Sequence, residues 1–333
     1  MKALRCTVHG SLDDLAVHEI PEPVAGPGQV VVEVRAAAVN FADILVVQGA
    51  YQVAAPVPFT PGSEFAGRIT EVGPDVEGFA PGDAVSGSVF VGAFAQRVVV
   101  PATSLTALPP GADLRAAAAS GVSYATAYHA LTLVAELRAG ETLAVLGAAG
   151  GVGLAAVQLG RLLGARVIAV ASSERKRGLC LAEGADTALP YDDLKRRLAD
   201  AGGADVVLDP VGGDHAEPAL RALRWGGRYV TVGFAGGEIP RIPLNLVMLK
   251  GISVRGFEFG GWARRERDAL VRGRAELARL FLTGELKPHI HAVYPLEEAA
   301  GALAAVAGRS SAGKVLIIPA DPDVPDAPDA GRG

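Results

Sequence analysis

Apolar runs interrupted by glycine turns mark the middle of the chain. Residues 143–146 (Leu-Ala-Val-Leu) predict a buried strand, and residues 154–159 (Leu-Ala-Ala-Val-Gln-Leu) predict a helix. A glycine-rich turn lies between them, an order that is typical of the unit that holds a dinucleotide pyrophosphate at a helix N-terminus. Glycine is needed where φ is positive or where a side chain would block the phosphate. We therefore predict a nucleotide cofactor, with its pyrophosphate on Gly150, Gly151, Val152 and Gly153.

The end of the next strand favours a phosphorylated cofactor. Residues 165–170 predict this strand, which ends about 20 residues after the glycines, where an Asp or Glu would bind the ribose of NAD. The chain has Ser172 and Ser173 there, followed by Arg175 and Lys176. Small hydroxyl groups leave room for a 2′-phosphate, and neighbouring cations can pair with it. We therefore expect NADPH rather than NADH.

The hydrophobic pattern changes character about a third of the way along the chain. Before Ala116, short apolar runs alternate with Gly-Pro turns, which predicts a β-rich, barrel-like domain. After it, alanine-rich helices alternate with apolar strands, as in α/β domains with a parallel sheet. Residues from about 320 onward are mostly Pro, Asp, Ala and Gly, which cannot bury a core, and they are predicted to be disordered. Later elements are expected as strands at 205–209, 227–232 and 252–256, a charged helix at 264–282, and strands at Val293 and 314–318.

Composition narrows the class of protein. With 333 residues, of which 50% are hydrophobic, the chain can form two cores. The net charge of -5 argues against nucleic-acid binding. Two distant cysteines, Cys6 and Cys180, exclude a disulfide framework and a four-cysteine zinc site, and fit a reducing cytosol. Since there is no signal-peptide pattern and no membrane-length apolar run, we expect a soluble, cytoplasmic protein.

Several motifs, taken in order, resemble one family. They are residues 37–43 (Ala-Ala-Val-Asn-Phe-Ala-Asp), 49–51 (Gly-Ala-Tyr), 61–67 (Pro-Gly-Ser-Glu-Phe-Ala-Gly), the glycine turn, and 209–213 (Asp-Pro-Val-Gly-Gly). From Met1 to about Pro319 the chain resembles the zinc-independent, zeta-crystallin-like quinone oxidoreductases of the medium-chain dehydrogenase/reductase superfamily. Ala148 replaces the first glycine of G-x-G-x-x-G, as is common in this branch.

The resemblance implies an α/β fold with two domains. A GroES-like, β-rich catalytic domain is expected at residues 1–120 and 263–319. A Rossmann domain, a doubly wound parallel sheet that binds NADPH, is expected at residues 121–262. The cofactor would then lie in the cleft between the two domains.

The resemblance also bears on metal binding. In the zinc alcohol dehydrogenases of the superfamily, a Cys and a His of the N-terminal motifs bind the catalytic zinc. The matching residues here are Asn40 and Ser63, neither of which is an ordinary zinc ligand. We therefore predict no metal, and we expect His289 and His291 to be surface residues. Without a Lewis acid, hydride transfer to an electron-poor acceptor is favoured over alcohol oxidation.

Individual residues inherit expected roles from the resemblance. Lys176, Tyr191 and Arg309 match positions that contact the 2′-phosphate, with Ser172 beside them. Tyr51 is either a proton donor to the acceptor or a binding or packing residue. Glu64 is expected to hold loop backbone or an arginine rather than to form an acid–base pair with Asp43. The residues expected at the nicotinamide and the acceptor are Asn40, Tyr51, Thr126, Gly233 and Phe234.

The sequence thus predicts a zinc-independent, NADPH-dependent reductase of a quinone or a similar small molecule. A reductase of activated alkenes or enoyl thioesters is the alternative within the same superfamily. An NADPH-binding sensor with little turnover is the alternative from another class. Family analogy suggests a homodimer, formed through an edge strand such as residues 252–256, and no membrane or nucleic-acid partner is expected.

Overall fold

The computed structural model describes residues 1–319, so the predicted disordered tail at residues 320–333 lies outside the described residues. The chain divides into two compact units. Within the described residues, the first unit comprises residues 1–122 and 288–319, and the second comprises Ser123–Lys287. This division differs from the expected one, because residues 263–287 belong to the second unit. The reason is packing: the helix in this stretch brings Gly273 so close to His129 that an added Cβ would lie 2.2 Å from the imidazole ring.

The first unit is built around one long strand, β3 (Gln29–Val39). Its valines and alanines are buried along most of its length, because both faces of the strand are covered. Val32 and Val34 lie in the main core of the unit, whereas Ala36 packs with Ala118 in a separate cluster. A seven-stranded sheet runs in the order β14 (Ile290–Pro295), β15 (Lys314–Ile318), β3, β4 (Glu64–Val72), β5 (Ala84–Ser88) and β7 (Leu105–Ala107), and β6 (Arg97–Pro101) also pairs with β3. The N-terminal elements of this unit are β1 (Lys2–Arg5), β2 (Ala16–Glu19), β3 (Gln29–Val39), α1 (Phe41–Val47), β4 (Glu64–Val72), β5 (Ala84–Ser88), β6 (Arg97–Pro101), β7 (Leu105–Ala107) and α2 (Leu114–Ala118).

The second unit is a doubly wound parallel sheet, which confirms the predicted α/β class. Its six strands run in the order β10 (Thr187–Leu189), β9 (Arg166–Val170), β8 (Thr142–Val145), β11 (Ala204–Asp209), β12 (Leu223–Thr231) and β13 (Ser253–Gly256). The direction of winding therefore reverses between β8 and β11, the point at which such sheets bind their ligands. The elements are α3 (Gly121–His129), which leads into the unit, β8 (Thr142–Val145), α4 (Gly151–Leu162), β9 (Arg166–Val170), α5 (Glu174–Ala182), β10 (Thr187–Leu189), α6 (Leu194–Asp200), β11 (Ala204–Asp209), α7 (Ala216–Arg221), β12 (Leu223–Thr231), α8 (Leu244–Lys250), β13 (Ser253–Gly256), α9 (Phe259–Arg265) and α10 (Arg267–Leu282).

The predicted strands of this unit are present, with ends that differ by a few residues. The charged helix predicted at residues 264–282 is instead two helices, α9 and α10. The break falls at Glu266, whose backbone (φ -110°, ψ 55°) is not helical. The charged composition continues across the break, so the sequence pattern did not reveal it.

The last described elements return to the first unit. They are β14 (Ile290–Pro295), α11 (Ala299–Ala307) and β15 (Lys314–Ile318). β15 pairs with β3 in antiparallel fashion, with Val315 opposite Val39. Gly313 has a φ of +85°, and a Cβ there would lie 2.4 Å from the carbonyl oxygen of His289. The turn into β15 therefore requires glycine, and Lys314 opens the strand immediately after it.

Candidate active site

The glycine turn forms the start of helix α4. After β8, Gly147 turns the chain with a φ of +58°, and the Gly150 N–H donates to the Gly147 carbonyl oxygen at 2.9 Å. The first helical hydrogen bond runs from the Leu154 N–H to the Gly150 carbonyl oxygen at 2.8 Å. Gly150 stands at the N-cap position and has no side chain to cap the amides that follow. A helix that begins in this way offers backbone N–H groups and a positive dipole end to an anion.

Gly153 allows this helix to lie against the turn. A Cβ at Gly153 would be 2.2 Å from the Gly147 carbonyl oxygen and 2.7 Å from the Ala148 Cα. Both neighbours are backbone atoms and cannot rotate away. Ala148 itself is fully buried, and its N–H donates to the Val170 carbonyl oxygen at 3.0 Å. The alanine is therefore accommodated, whereas Gly153 is required for the close approach of helix and strand.

The loop after β11 is held by a buried carboxylate, Asp209. One oxygen of Asp209 accepts hydrogen bonds from the N–H groups of Val211 and Gly212, at 2.7 and 2.9 Å, and the other accepts from the Tyr229 hydroxyl. The Val211 side chain reaches the glycine turn, since a Cβ at Gly147 would lie 2.7 Å from its Cγ2. The ends of β8 and β11, which flank the reversal in winding, are therefore in direct contact.

Gly233 and Phe234 lie on the next loop, after β12. This loop is tied to the β11 loop by the Ala235 and Gly236 N–H groups, which donate to the carbonyl oxygens of Pro210 and Val211 at 3.0 and 2.7 Å. The Phe234 ring packs so closely that a Cβ at Gly212 would lie 2.8 Å from it. The structure thus brings Gly233 and Phe234 to the same edge of the sheet as the glycine turn.

The residues expected at the 2′-phosphate are divided between the two units. Ser172 and Lys176 lie at the start of α5, where the Lys176 N–H donates to the Ser173 hydroxyl oxygen at 3.3 Å. The Tyr191 hydroxyl accepts a hydrogen bond of 2.7 Å from the Gly147 N–H, a contact with the glycine turn that sequence reasoning missed. Arg309 lies in the first unit, on the turn after α11, with a φ of +55°. It stays a prediction that Arg309 binds the same phosphate as the residues of the second unit.

A buried polar cluster occupies the place in the first unit where the N-terminal motifs meet. This Asn40 cluster consists of Asn40, Asp43, Ser63, Glu64 and Lys314. The Asn40 N–H donates to Asp43 Oδ2 at 2.7 Å, at the start of α1. Asn40 Nδ2 donates to Glu64 Oε2 at 2.9 Å and lies 3.4 Å from Ser63 Oγ. Lys314 Nζ donates to Asn40 Oδ1 at 2.7 Å and to Glu64 Oε2 at 3.2 Å.

Both carboxylates of the Asn40 cluster are engaged within the protein. The second oxygen of Glu64 accepts from the Val122 N–H at 3.0 Å, so Glu64 holds backbone as expected, with a lysine as its cation instead of an arginine. Burial raises the pKa of Asp43 to about 6. Hydrogen bonds from Ser63 and the Asn40 N–H, together with the charge of Lys314, limit this rise. Asp43 and Glu64 are not arranged as a separate acid–base pair.

The Asn40 cluster does not fit a catalytic zinc ion. Asn40 and Ser63 do lie side by side, but they offer an amide and a hydroxyl group where zinc prefers thiolate and imidazole. The ammonium group of Lys314 already supplies a cation to Glu64. Within residues 1–319, no group of three or more His, Cys, Asp or Glu side chains is arranged to hold a metal ion. Sequence reasoning missed Lys314, whose only signal was a lysine opening an apolar strand after a glycine.

Tyr51 and Thr126 lie in different units. Tyr51 follows α1 in the first unit, is half-buried, and has its ring centroid 6.2 Å from that of Phe90. Phe90 is itself 41% exposed, so this aromatic pair stands at the edge of the core. Thr126 is buried on α3, in the second unit. It stays a prediction that one acceptor site is lined by Asn40, Tyr51 and Thr126.

Comparison with known proteins shows similarity through both units. Residues 26–110 match the family described as alcohol dehydrogenase GroES-like domain, and residues 151–272 match the family described as zinc-binding dehydrogenase. Quinone oxidoreductase-like protein 2 of Bos taurus is 40% identical over 310 residues, which cover 91% of this chain and 88% of the relative.

Solved structures show the same similarity. The quinone oxidoreductase of Thermus thermophilus, whose structures include a complex with NADPH, is 38% identical and has a TM-score of 0.82. The match covers 96% of this chain and 100% of that one. The Escherichia coli quinone oxidoreductase complexed with NADPH is 28% identical, with a TM-score of 0.90 and the same coverage.

Proposed function

Because the chain belongs to the quinone oxidoreductases of the medium-chain dehydrogenase/reductase superfamily, we propose that it is a metal-independent, NADPH-dependent reductase of quinones or similar electron-poor acceptors. Metal independence is supported by the buried Lys314 ammonium group, which contacts both Asn40 and Glu64. A site with this cation has no Lewis acid to polarise an alcohol oxygen. Its acceptor must therefore be electrophilic before it binds.

The second unit supplies most of the proposed cofactor site. Bound NADPH would supply the hydride. The uncapped amides at the start of α4 would hold its pyrophosphate, a fit supported by the close approach that Gly153 permits. The loop carrying Gly233 and Phe234 would face the nicotinamide, since it lies at the edge of the sheet where the winding reverses. The groups proposed for the 2′-phosphate are Ser172, Lys176, Tyr191 and Arg309.

The acceptor would be held by hydrogen bonds. As hydride arrives, negative charge develops on a quinone or enone oxygen, and donors aimed at that oxygen stabilise the transition state. Asn40 and Tyr51 carry the donors proposed for this role, with Thr126 as a further lining residue. The Tyr51 phenol or water would complete the reduction by giving a proton.

Oxidation of NADPH and of NADH by chelator-treated protein tests this proposal. A simple benzoquinone and a simple enone should be supplied side by side. We expect turnover that prefers NADPH, survives the chelator, and is faster with the quinone. Faster turnover of the enone would favour the alkene or enoyl-thioester reductase. Tight NADPH binding without turnover of either acceptor would favour the sensor.

We further propose a homodimer formed through β13. This strand is at the edge of the six-stranded sheet, and Val254 on it is 41% exposed. Light scattering after gel filtration should give twice the mass of the chain, and Val254→Lys should shift the protein towards monomer. A monomer at all concentrations would exclude this interface.

None of the helices within residues 1–319 combines the length and the apolar character of a membrane-spanning segment.

A further inference from the structure

We propose that Lys314 is a positioning residue of the acceptor site, which fixes the orientation of the Asn40 amide so that Asn40 presents an N–H donor to the acceptor. This inference rests on the proposed function, because it takes Asn40 to line the acceptor site. Lys314 and Asn40 are 274 residues apart in sequence.

Strand pairing places Lys314 at the Asn40 side chain. Val315 lies opposite Val39 in the antiparallel pair of β15 and β3, so Lys314 lies beside the end of β3, where Asn40 follows. On the other side of β3, Glu64 opens β4, and Phe65 lies opposite Ala37. Three strand ends thus bring an amide, a carboxylate and an ammonium group together inside the first unit.

The ammonium group has oxygen partners for its hydrogen atoms. Lys314 Nζ lies 2.7 Å from Asn40 Oδ1, 3.2 Å from Glu64 Oε2 and 3.5 Å from the Val39 carbonyl oxygen. A lysine ammonium group has three N–H donors and no acceptor. Lys314 is only 4% exposed and Glu64 only 1%. Buried charges of this kind persist when they are paired and hydrogen-bonded.

These partners determine which way the Asn40 amide is turned. In the observed orientation, Oδ1 accepts from Lys314 and Nδ2 donates to Glu64. Rotating the amide by half a turn would set its NH2 group against the ammonium group and its oxygen against the carboxylate. Both contacts would be repulsive, because donors would face donors and acceptors would face acceptors. The pair of opposite charges therefore permits only one orientation.

The orientation leaves one Asn40 N–H weakly engaged. One N–H of Nδ2 donates to Glu64, and the remaining contacts of this atom, with the Ala38 carbonyl oxygen and Ser63 Oγ, are both 3.4 Å long. Such distances exceed the usual range for an N–H···O bond. Asn40 is also the most exposed of the four buried members of the cluster, at 8%. A developing oxyanion can compete for this N–H, whereas a turned amide would present an oxygen that repels it.

The double variant Lys314→Met/Glu64→Gln tests the inference. It removes the Lys314 ammonium group and the Glu64 carboxylate that pairs with it together, which is far less disruptive than removing only one partner of the pair. It also removes the two charges that fix the orientation of the Asn40 amide. The glutamine introduced by Glu64→Gln can accept from the Val122 N–H and offer its NH2 group to Asn40 Oδ1, and this favours the turned amide. As a matched control, Lys2→Met breaks an ion pair with Glu297 in which both side chains are about half exposed.

Kinetics should show that Lys314 acts through Asn40. We expect the double variant to lower kcat/KM for the quinone by about tenfold or more, with the KM for NADPH unchanged. In an Asn40→Ala background the same two changes should have no further effect, since the group they position is gone. Lys2→Met should behave as wild type. A wild-type kcat/KM in the double variant, or effects that multiply with Asn40→Ala, would overturn the inference.

An NMR measurement reads the amide without any turnover. The chain has only two asparagines, Asn40 and the exposed Asn245, so labelling with ¹⁵N-asparagine gives two side-chain NH2 signals. The Asn40 NH2 signals should shift and exchange faster with solvent in the double variant, while those of Asn245 stay fixed. Unchanged Asn40 signals would overturn the inference. If the signals change but wild-type protein reduces no acceptor, the proposed function fails while the positioning of Asn40 by Lys314 stands.

Discussion

Replacing Gly153 with Ala should disturb the glycine turn and cofactor binding together. The added Cβ would lie 2.2 Å from the Gly147 carbonyl oxygen, which is 0.8 Å inside the 3.0 Å limit that real Cβ contacts respect. Since the atoms it meets are backbone, helix α4 or the turn must move by about 1 Å. Strain from overpacking costs about 1–3 kcal/mol. Over most of this range the strain exceeds the gain of about 1 kcal/mol that Ala normally brings to a helix, so we expect a net loss of stability.

The same movement should weaken NADPH binding. The amides proposed for the pyrophosphate belong to the first turn of α4, so a shift of about 1 Å misplaces all of them. A loss of about 1.4 kcal/mol corresponds to a tenfold higher Kd, and we expect at least this change. Urea unfolding would measure the stability, and a fluorescence titration would measure NADPH affinity.

Gly178→Ala provides the matched control. Gly178 lies within α5 of the same unit, and a Cβ there would meet nothing within 4 Å. This variant should gain about 0.5–1 kcal/mol of stability from reduced backbone entropy in the unfolded chain. If Gly153→Ala and Gly178→Ala changed stability alike, or if Gly153→Ala bound NADPH as tightly as wild type, the steric reasoning would be refuted.

Three further predictions concern single side chains. Lys176→Ala should raise the KM for NADPH far more than that for NADH, and an equal rise in steady-state assays would contradict a role at the 2′-phosphate. Tyr51→Phe should lower kcat with enones, because it removes the proposed proton donor, whereas unchanged turnover would show that Tyr51 is a packing residue. Burial lowers the pKa of His129 from 6.5 to about 4, so between these values the unfolded chain binds a proton that the folded chain does not. Stability should therefore fall by about 2 kcal/mol more from pH 7 to pH 5 in wild type than in His129→Phe, as measured by urea unfolding; equal losses would show that His129 charges freely in the fold. Asp43, with its raised pKa, has the opposite pH dependence in both proteins and cancels in the comparison.

Local pattern was enough to predict the central strands and the glycine turn of the second unit. The strands β8 and β9 and the turn between β8 and α4 are encoded within about 30 residues, the length of one strand-helix-strand unit. Apolar runs mark buried strands, and glycine marks the positions where the backbone must turn or approach closely. The break between α9 and α10 at Glu266 escaped prediction, because charged residues continue on both sides of it.

The sequence by itself therefore determined the α/β class, the glycine turn and the absence of ordinary zinc ligands at Asn40 and Ser63, since each depends on neighbouring residues. Only the tertiary structure decided what surrounds Asn40. Lys314 reaches Asn40 and Glu64 through the pairing of β15 with β3, across sequence separations of 274 and 250 residues. The Tyr191 contact with Gly147 spans 44 residues in the same way. Such contacts arise from strand register and packing, and no local spacing of residue types encodes them.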